Sequence, residues 1–352
     1  MFHSLGPSFG VDHLAWSGWL RDFSSVGRSF LALLPASLGW SGVAVFFVVS
    51  GFCIHLSHER SRRKDFKVFF IRRFFRIYPP YLLALTFFAF VFPWTRLKLG
   101  FLDNAAQFGS HALLINNFYE KYFFGINPAF WSIAVEVQLY LLYPLLLWLT
   151  RRAGWSGALW ATGCLELLLR LLSGGVEAYR GEPLTRWVTG NPLFYWFSWT
   201  LGARLAEDYL TKRPVFMARC RLWIWPFLIA AAFLIRPAYD LCFLLVALAT
   251  ANLMAVLLTR PGGFSLGWPG RHLRVAGKLS YSIYLIHQPL LWLVPVSVER
   301  LLVGHEIHPL AAYASCMASW GLVILLSWGF YRLVELPSID LGKWFVQRSA
   351  AH

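Results

Sequence analysis

A carboxylate stands in the middle of an apolar run. PAFWSIAVEVQLYLLYP, residues 128–144, places Ser132, Glu136, Tyr140 and Tyr143 at i, i+4, i+8 and i+11, which share one face of a helix. A carboxylate inside a membrane helix is costly, so Glu136 by default points into a bundle and needs a partner there. Two readings stand: a functional carboxylate, or a structural one paired with an arginine from another span. KLSYSIYLIHQPLLW, residues 278–292, repeats the pattern with Ser280, Tyr284 and His287 on one face. His287 reads either as a hydrogen-bonded packing residue or as a group that moves a proton near neutral pH. Arg73 and Arg76, one helical turn apart in RRFFRIYPP, can grip phosphate in bidentate fashion. The plainer alternative for them is anchoring at the lipid headgroups.

The elements that must position these residues are membrane helices. The 352 residues are 58% hydrophobic, 18% aromatic and only 14% charged, too little polar surface to cover a soluble globule. A net charge of +15 raises nucleic acid as a partner, but the basic residues sort by loop and no nucleic-acid partner is expected. The five cysteines, Cys53, Cys164, Cys220, Cys242 and Cys316, show no CxxC spacing and read as small buried hydrophobes. No group has metal-ligand spacing, so no metal is expected.

The fold class expected is all-α, a polytopic membrane helix bundle of about nine spans. They fall near 39–57, 77–94, 128–149, 155–173, 191–207, 222–236, 240–258, 280–298 and 310–333. The loop after the first carries Arg60, Arg62, Arg63, Lys64, Lys67, Arg72, Arg73 and Arg76, which places it in the cytoplasm and fixes the direction of every other span. Pro79 and Pro80 then mark the start of the next helix. Alternation from that loop also puts the C-terminus in the cytoplasm, and Lys and Arg concentrate in the loops on that side. Residues 1–38 fall outside, yet MFHSLGPSFG has neither a basic n-region nor an apolar h-region. A first span is therefore expected upstream, with Met1 an internal methionine, which would raise the count to ten. LDNAAQFGSHALLINNF, 102–118, is too polar to span and is expected at the interface. Trp16, Trp19 and Trp40 read as interfacial belt or as platforms for sugar faces. The whole of 1–352 forms one integral-membrane domain without a soluble part.

GVAVFFVVSGF, RRFFRIYPPYLLAL, FWSIAVEVQLYLLYP, GKLSYSIYLIHQPLL and YRLVELPSIDLG together resemble, in order, the segments of the acyltransferase family 3 membrane proteins. That resemblance implies a bacterial inner-membrane O-acyltransferase of about ten spans. It would move an acyl group, acetyl above all, from cytoplasmic acyl-CoA to a hydroxyl of a cell-surface glycan, such as polysaccharide or lipopolysaccharide, or of its lipid-linked precursor. It implies no bound cofactor: acetyl-CoA enters as co-substrate. The family's first span ends in a functional histidine, a position that His3 in MFHSLG fits, while the arginine eleven residues before it has no counterpart here. Arg73 and Arg76, the Trp131–Ser132 pair and Glu136 match family positions, whereas Ala44 departs from a frequent acid.

Chemistry follows from those assignments. His3 would be the general base that takes the hydroxyl proton, and Glu136 would orient its ring and stabilise the imidazolium. Arg73 and Arg76 would hold the phosphates of acyl-CoA. Ser132, Tyr284 and His287 are candidates for oxyanion or acceptor contacts. The bilayer, the donor and a carbohydrate acceptor are the partners implied. The alternative function is a transporter for lipid-linked sugars or acyl groups, in which the same polar stripes would line a pathway.

Overall fold

Apolar sequence of this length becomes helix because a helix satisfies its own backbone. The computed structural model describes residues 16–21, 41–61, 64–93, 95, 97, 100–213, 215, 217–260, 267–291 and 309–348; His3 and Trp40 lie outside them. Among the described residues the architecture is all-α apart from a two-residue antiparallel pairing, Trp16–Ser17 with Leu20–Arg21, and an isolated bridge between Leu20 and Ile235. Five helices among the described residues are long and apolar enough to cross a membrane: Gly42–Glu59, Phe66–Val91, Phe130–Arg180, Leu241–Thr259 and Met317–Arg348.

In chain order, α1 is Gly42–Glu59, α2 Phe66–Thr86 with a π-helical turn Phe87–Val91, α3 Phe101–Ala112 and α4 Phe130–Arg180. They are followed by α5 at Trp196–Thr211, α6 at Ile224–Leu234, α7 at Leu241–Thr259 and α8 at Gly267–Leu291. The last two are α9, Pro309–Phe330, and α10, Leu336–Arg348, joined by a π-helical turn Tyr331–Glu335. The expected span at 222–236 contracts to the 11 residues of α6. At ~1.5 Å per residue that is roughly half the hydrocarbon thickness.

Packing is led by α1 against α5, with α7 beside both. Two glycines allow the approach. A Cβ on Gly51 would stand 2.0 Å from the Trp199 carbonyl oxygen, and one on Gly202 would stand 1.8 Å from that of Val48. The start of α5 is fixed to α4 by a buried ion pair. Arg170 donates to Glu166 and to the carbonyls of Asp240 and Phe194, while Glu166 also accepts from the backbone N–H and hydroxyl of Ser198. Every charge in that group has a partner, which is the condition for burying it.

Three sequence expectations are corrected. The helix expected to begin near Pro79 begins at Phe66, where the Asp65 side chain caps it by accepting from the Lys67 N–H at 2.8 Å. Arg72, Arg73 and Arg76 therefore stand on a helix instead of in a loop. Both prolines are internal, and the carbonyl that Pro79 frees one turn back, Phe75 O, accepts from the Ser338 hydroxyl of α10. Pro289 in α8 frees Leu285 O in the same way, and buried Asn127 donates to it at 2.8 Å. Secondly, the loop expected at 150–154 shrinks to one non-helical residue, Gly154, at φ 69° and ψ 175°. Only glycine adopts that backbone readily.

The third correction concerns 102–118, expected at the interface, together with the residues that follow it to 127. It is inserted among the helices. Tyr78 and Tyr81 of α2 donate to the carbonyls of Ala112 and His111, both at 3.0 Å, and Gln138 of α4 donates to Leu114 O at 2.8 Å. Gln107, Ser110, His111, Asn116, Asn117 and Asn127 are all buried. Its non-helical backbone can be buried because protein groups take up its hydrogen bonds. At its outer bend Asp103 meets Lys121 at 2.5 Å, a pairing that holds this exposed carboxyl below its usual range.

Candidate active site

The face of α4 predicted from spacing is the buried face. Ser132 and Tyr143 are 0% exposed, Glu136 and Tyr140 5%. Glu136 accepts from the Ser50 hydroxyl of α1 at 2.7 Å and from the Tyr140 hydroxyl, one turn along its own helix, at 2.5 Å. Both bonds fall on Oε1. Trp199 of α5 donates its indole N–H to Ser50 Oγ at 3.3 Å, so three helices fix one carboxylate oxygen. Oε2 has no hydrogen bond among the described residues.

Beside Glu136 lies a cavity of about 170 Å³, walled by Phe46 of α1, Arg76 and Ile77 of α2, Ile133 and Tyr140 of α4, and Tyr281 and Tyr284 of α8. Arg76 has no ion pair with any described residue, Glu136 included. The structural reading of Glu136, a carboxylate consumed by an arginine of another span, is thus not what is found among the described residues. A carboxylate with one bound and one open oxygen can accept a proton-bearing group, orient an imidazole or offset a developing cation.

The stripe on α8 arrives at the same cavity. The hydroxyls of Ser132 and Tyr284 are hydrogen-bonded to each other, Ser132 also donates to Ala129 O at 3.0 Å, and the Tyr284 ring stacks on Phe46 at 5.6 Å. A donor pair of this kind can stabilise an oxyanion if one proton is turned into the cavity. His287 lies beyond Tyr284, ring to ring at 5.5 Å, and is absent from the cavity wall. Its Nδ1 faces the carbonyls of Ile283 and Tyr284 at 3.1 and 2.9 Å, which makes that nitrogen the donor. Trp320 of α9 stacks on the ring. His287 is held as a packing residue is, one ring removed from the carboxylate.

Arg73 and Arg76 share a helix face but open onto different hollows. Arg76 reaches the Glu136 cavity, while Arg73 donates to Ser57 Oγ of α1 at 2.9 Å and packs its guanidinium against the Phe69 ring. Spacing on a helix resolves a shared face but not what lies on either side of it.

Two groups escaped the sequence reading. Ser50 carried no signal beyond a small polar residue in an apolar helix. His55, buried on the same helix, meets Tyr143 through Nδ1 at 2.9 Å and Glu207 of α5 through Nε2 at 3.1 Å. Its hint was a histidine inside an apolar run, four residues before the basic loop's first charge. Among the described residues no cluster of His, Cys, Asp or Glu could hold a metal ion.

A carboxylate, several hydroxyls and a guanidinium around one cavity fit group transfer to a hydroxyl, and the comparisons agree. The family whose sequence model is described as "Acyltransferase domain" matches residues 1–332. The chain belongs to acyltransferase family 3. Similar proteins include the acyltransferase MdmB of Streptomyces mycarofaciens, 26% identical, with 94% of this chain and 87% of that one covered. Nodulation protein 10 of Rhizobium leguminosarum bv. viciae is 28% identical over 80% of each chain. The O-acetyltransferase OatA of Staphylococcus aureus is 25% identical over 96% of this chain, which spans 59% of OatA. No solved structure matches. As a member of acyltransferase family 3, the protein is an enzyme that transfers acyl groups other than aminoacyl groups, an O-acyltransferase built as a multi-pass membrane protein.

Proposed function

We propose that this family member moves an acyl group, acetyl first among them, from acyl-CoA to a hydroxyl of a cell-surface glycan or its lipid-linked precursor. We place it in the bacterial inner membrane with its C-terminus in the cytoplasm. The observation that carries the reading is Glu136: a buried carboxylate clamped on one oxygen by Ser50 and Tyr140, its other oxygen without a hydrogen bond among the described residues, beside a cavity that also holds Arg76 and Tyr284.

The roles follow from the chemistry. His3, which lies outside the described residues, takes the proton of the acceptor hydroxyl, and Glu136 orients and charge-balances the resulting imidazolium. The hydroxyl oxygen attacks the thioester carbon. The C–S bond then breaks, and the sulfur leaves as CoA thiol carrying the proton that His3 had taken. Tyr284, with Ser132 behind it, is the donor for the oxyanion. The arginine pair on α2 receives phosphate, the donor's included.

The test uses the full-length protein. His3→Ala should abolish transfer without lowering expression or thermal stability. Glu136→Gln, which still accepts from Ser50 and Tyr140 but loses the charge, should lower the rate about 10²- to 10⁴-fold. The double variant should be little worse than His3→Ala, as for residues acting as a unit. Near-normal transfer by well-folded His3→Ala would move the base elsewhere, and multiplicative losses would separate the two residues.

A further inference from the structure

The unexplained group in this bundle is Arg73. Its Nε is buried with no hydrogen-bond partner, and no carboxylate among the described residues lies within ion-pair distance. Its one hydrogen bond to another side chain among the described residues is to the neutral Ser57 hydroxyl. Removing a cation from water without a counter-charge is costly unless an anion is supplied from elsewhere. Beside it runs a groove of about 380 Å³ between α2, the end of α3 and α4, lined by Phe70, Phe74, Leu113, Val137 and Leu141, with Arg73 its sole charge. Leu113 is 71% exposed and Leu141 62%, so the groove opens outward onto an apolar surface. Tyr140 and Ile77 line both this groove and the Glu136 cavity, making the two hollows neighbours.

An apolar groove with one unpaired cation fits an amphipath: a hydrocarbon chain along the groove and an anionic group on the guanidinium. We infer that Arg73 binds the phosphate of a lipid-phosphate-linked sugar, the acceptor, while Arg76 serves the donor. This rests on the acyl-transfer reading and selects, from the acceptors it allows, the lipid-linked one. The neighbouring cavity favours a substrate over a bulk phospholipid: a sugar attached directly to that phosphate would have beside it Tyr140, which lines both hollows and whose hydroxyl donates to Glu136. The two phosphates suggested by the Arg73–Arg76 spacing then belong to two different substrates. This accounts for arginines one turn apart opening onto separate hollows.

The experiment measures binding, so it needs no knowledge of the sugar. The full-length protein in phosphatidylcholine nanodiscs is titrated with farnesyl phosphate, farnesol and CoA. Farnesyl phosphate should bind roughly 10- to 100-fold tighter than farnesol, the range for a charge-assisted hydrogen bond to phosphate. Arg73→Gln should erase that preference and leave CoA binding within about twofold, whereas Arg76→Gln should do the reverse. Leu113→Trp, which fills the groove and keeps Arg73, should weaken farnesyl phosphate several-fold and spare CoA. Equal binding of farnesol and farnesyl phosphate overturns the inference. So does loss of CoA binding in Arg73→Gln with farnesyl phosphate unaffected, which returns Arg73 to the donor. Displacement of farnesyl phosphate by excess phosphatidylglycerol in the disc makes this a headgroup site and also overturns it. Failure of the wild type to bind CoA counts against the donor reading alone, and the farnesyl phosphate arm still decides.

Discussion

Replacing Gly51 by alanine tests how the carboxylate is held. A Cβ there stands 2.0 Å from the Trp199 carbonyl oxygen, against the 3.4 Å at which ordinary contact begins, so α1 and α5 must separate by about 1.4 Å. The obstacle is helix backbone, which has no rotamer to change. Ser50, the adjacent residue, accepts from Trp199 at 3.3 Å and donates to Glu136 at 2.7 Å. A shift of 1.4 Å breaks the first bond outright, and breaks the second too if α1 moves away from α4. Overpacking of this kind costs roughly 1–3 kcal/mol, and a 1 Å error in a catalytic group's position can cost about 10²-fold in rate. The control is Gly175→Ala on α4, where a new Cβ meets nothing within 4 Å and helix propensity should add up to ~1 kcal/mol. Thermal unfolding in detergent and initial rates of acyl-CoA consumption read both variants. Gly51→Ala should lose stability and about two orders of magnitude in rate; Gly175→Ala should lose neither. If the two behave alike, the α1–α5 contact does not set the position of Ser50.

Tyr140→Phe removes one of the two donors on Glu136 Oε1 and should lower kcat about tenfold while leaving the melting temperature nearly unchanged. Unchanged kcat would confine Tyr140 to packing. Asn127→Ala leaves Leu285 O, freed by Pro289, without a donor, and should destabilise by roughly 1–3 kcal/mol. Restoring the backbone N–H with Pro289→Ala should remove most of that cost, so additive melting shifts in the double variant would refute the pairing.

What the sequence disclosed is set by what periodicity can report. Ser132, Glu136, Tyr140 and Tyr143 were legible as one buried face because they share a helix, and the Ser280–Tyr284–His287 stripe for the same reason. Which stripe residues line the carboxylate's cavity was not, since that depends on how α8 crosses α4: Ser280 and Tyr284 arrive and His287 stops one ring short. Ser50 lies 86 residues from Glu136, beyond any local pattern. The prolines misled because the rule for proline weighs only the lost N–H, whereas Ser338, 263 residues away, supplies the replacement donor at Phe75 O. Hydropathy placed 102–118 at the interface because it scores residues singly and cannot anticipate that Gln138 and Asn117 will bond each other's amides within the bundle.

That inserted segment also orders how the protein is made. A stretch with buried Gln107, Asn116, Asn117 and Asn127 is too polar to leave the translocon for lipid on its own. It becomes soluble in the bundle only once its hydrogen-bonding partners are present, Tyr78 and Tyr81 on α2 and Gln138 on α4, the last of which is synthesised after it. Asn127 must then wait for Leu285, more than 150 residues downstream, before its amide is satisfied. Biogenesis therefore ends with a docking step within the membrane, after insertion of the helices. A ribosome-bound chain halted before α8 should still expose this segment to water-soluble reagents that the finished protein excludes.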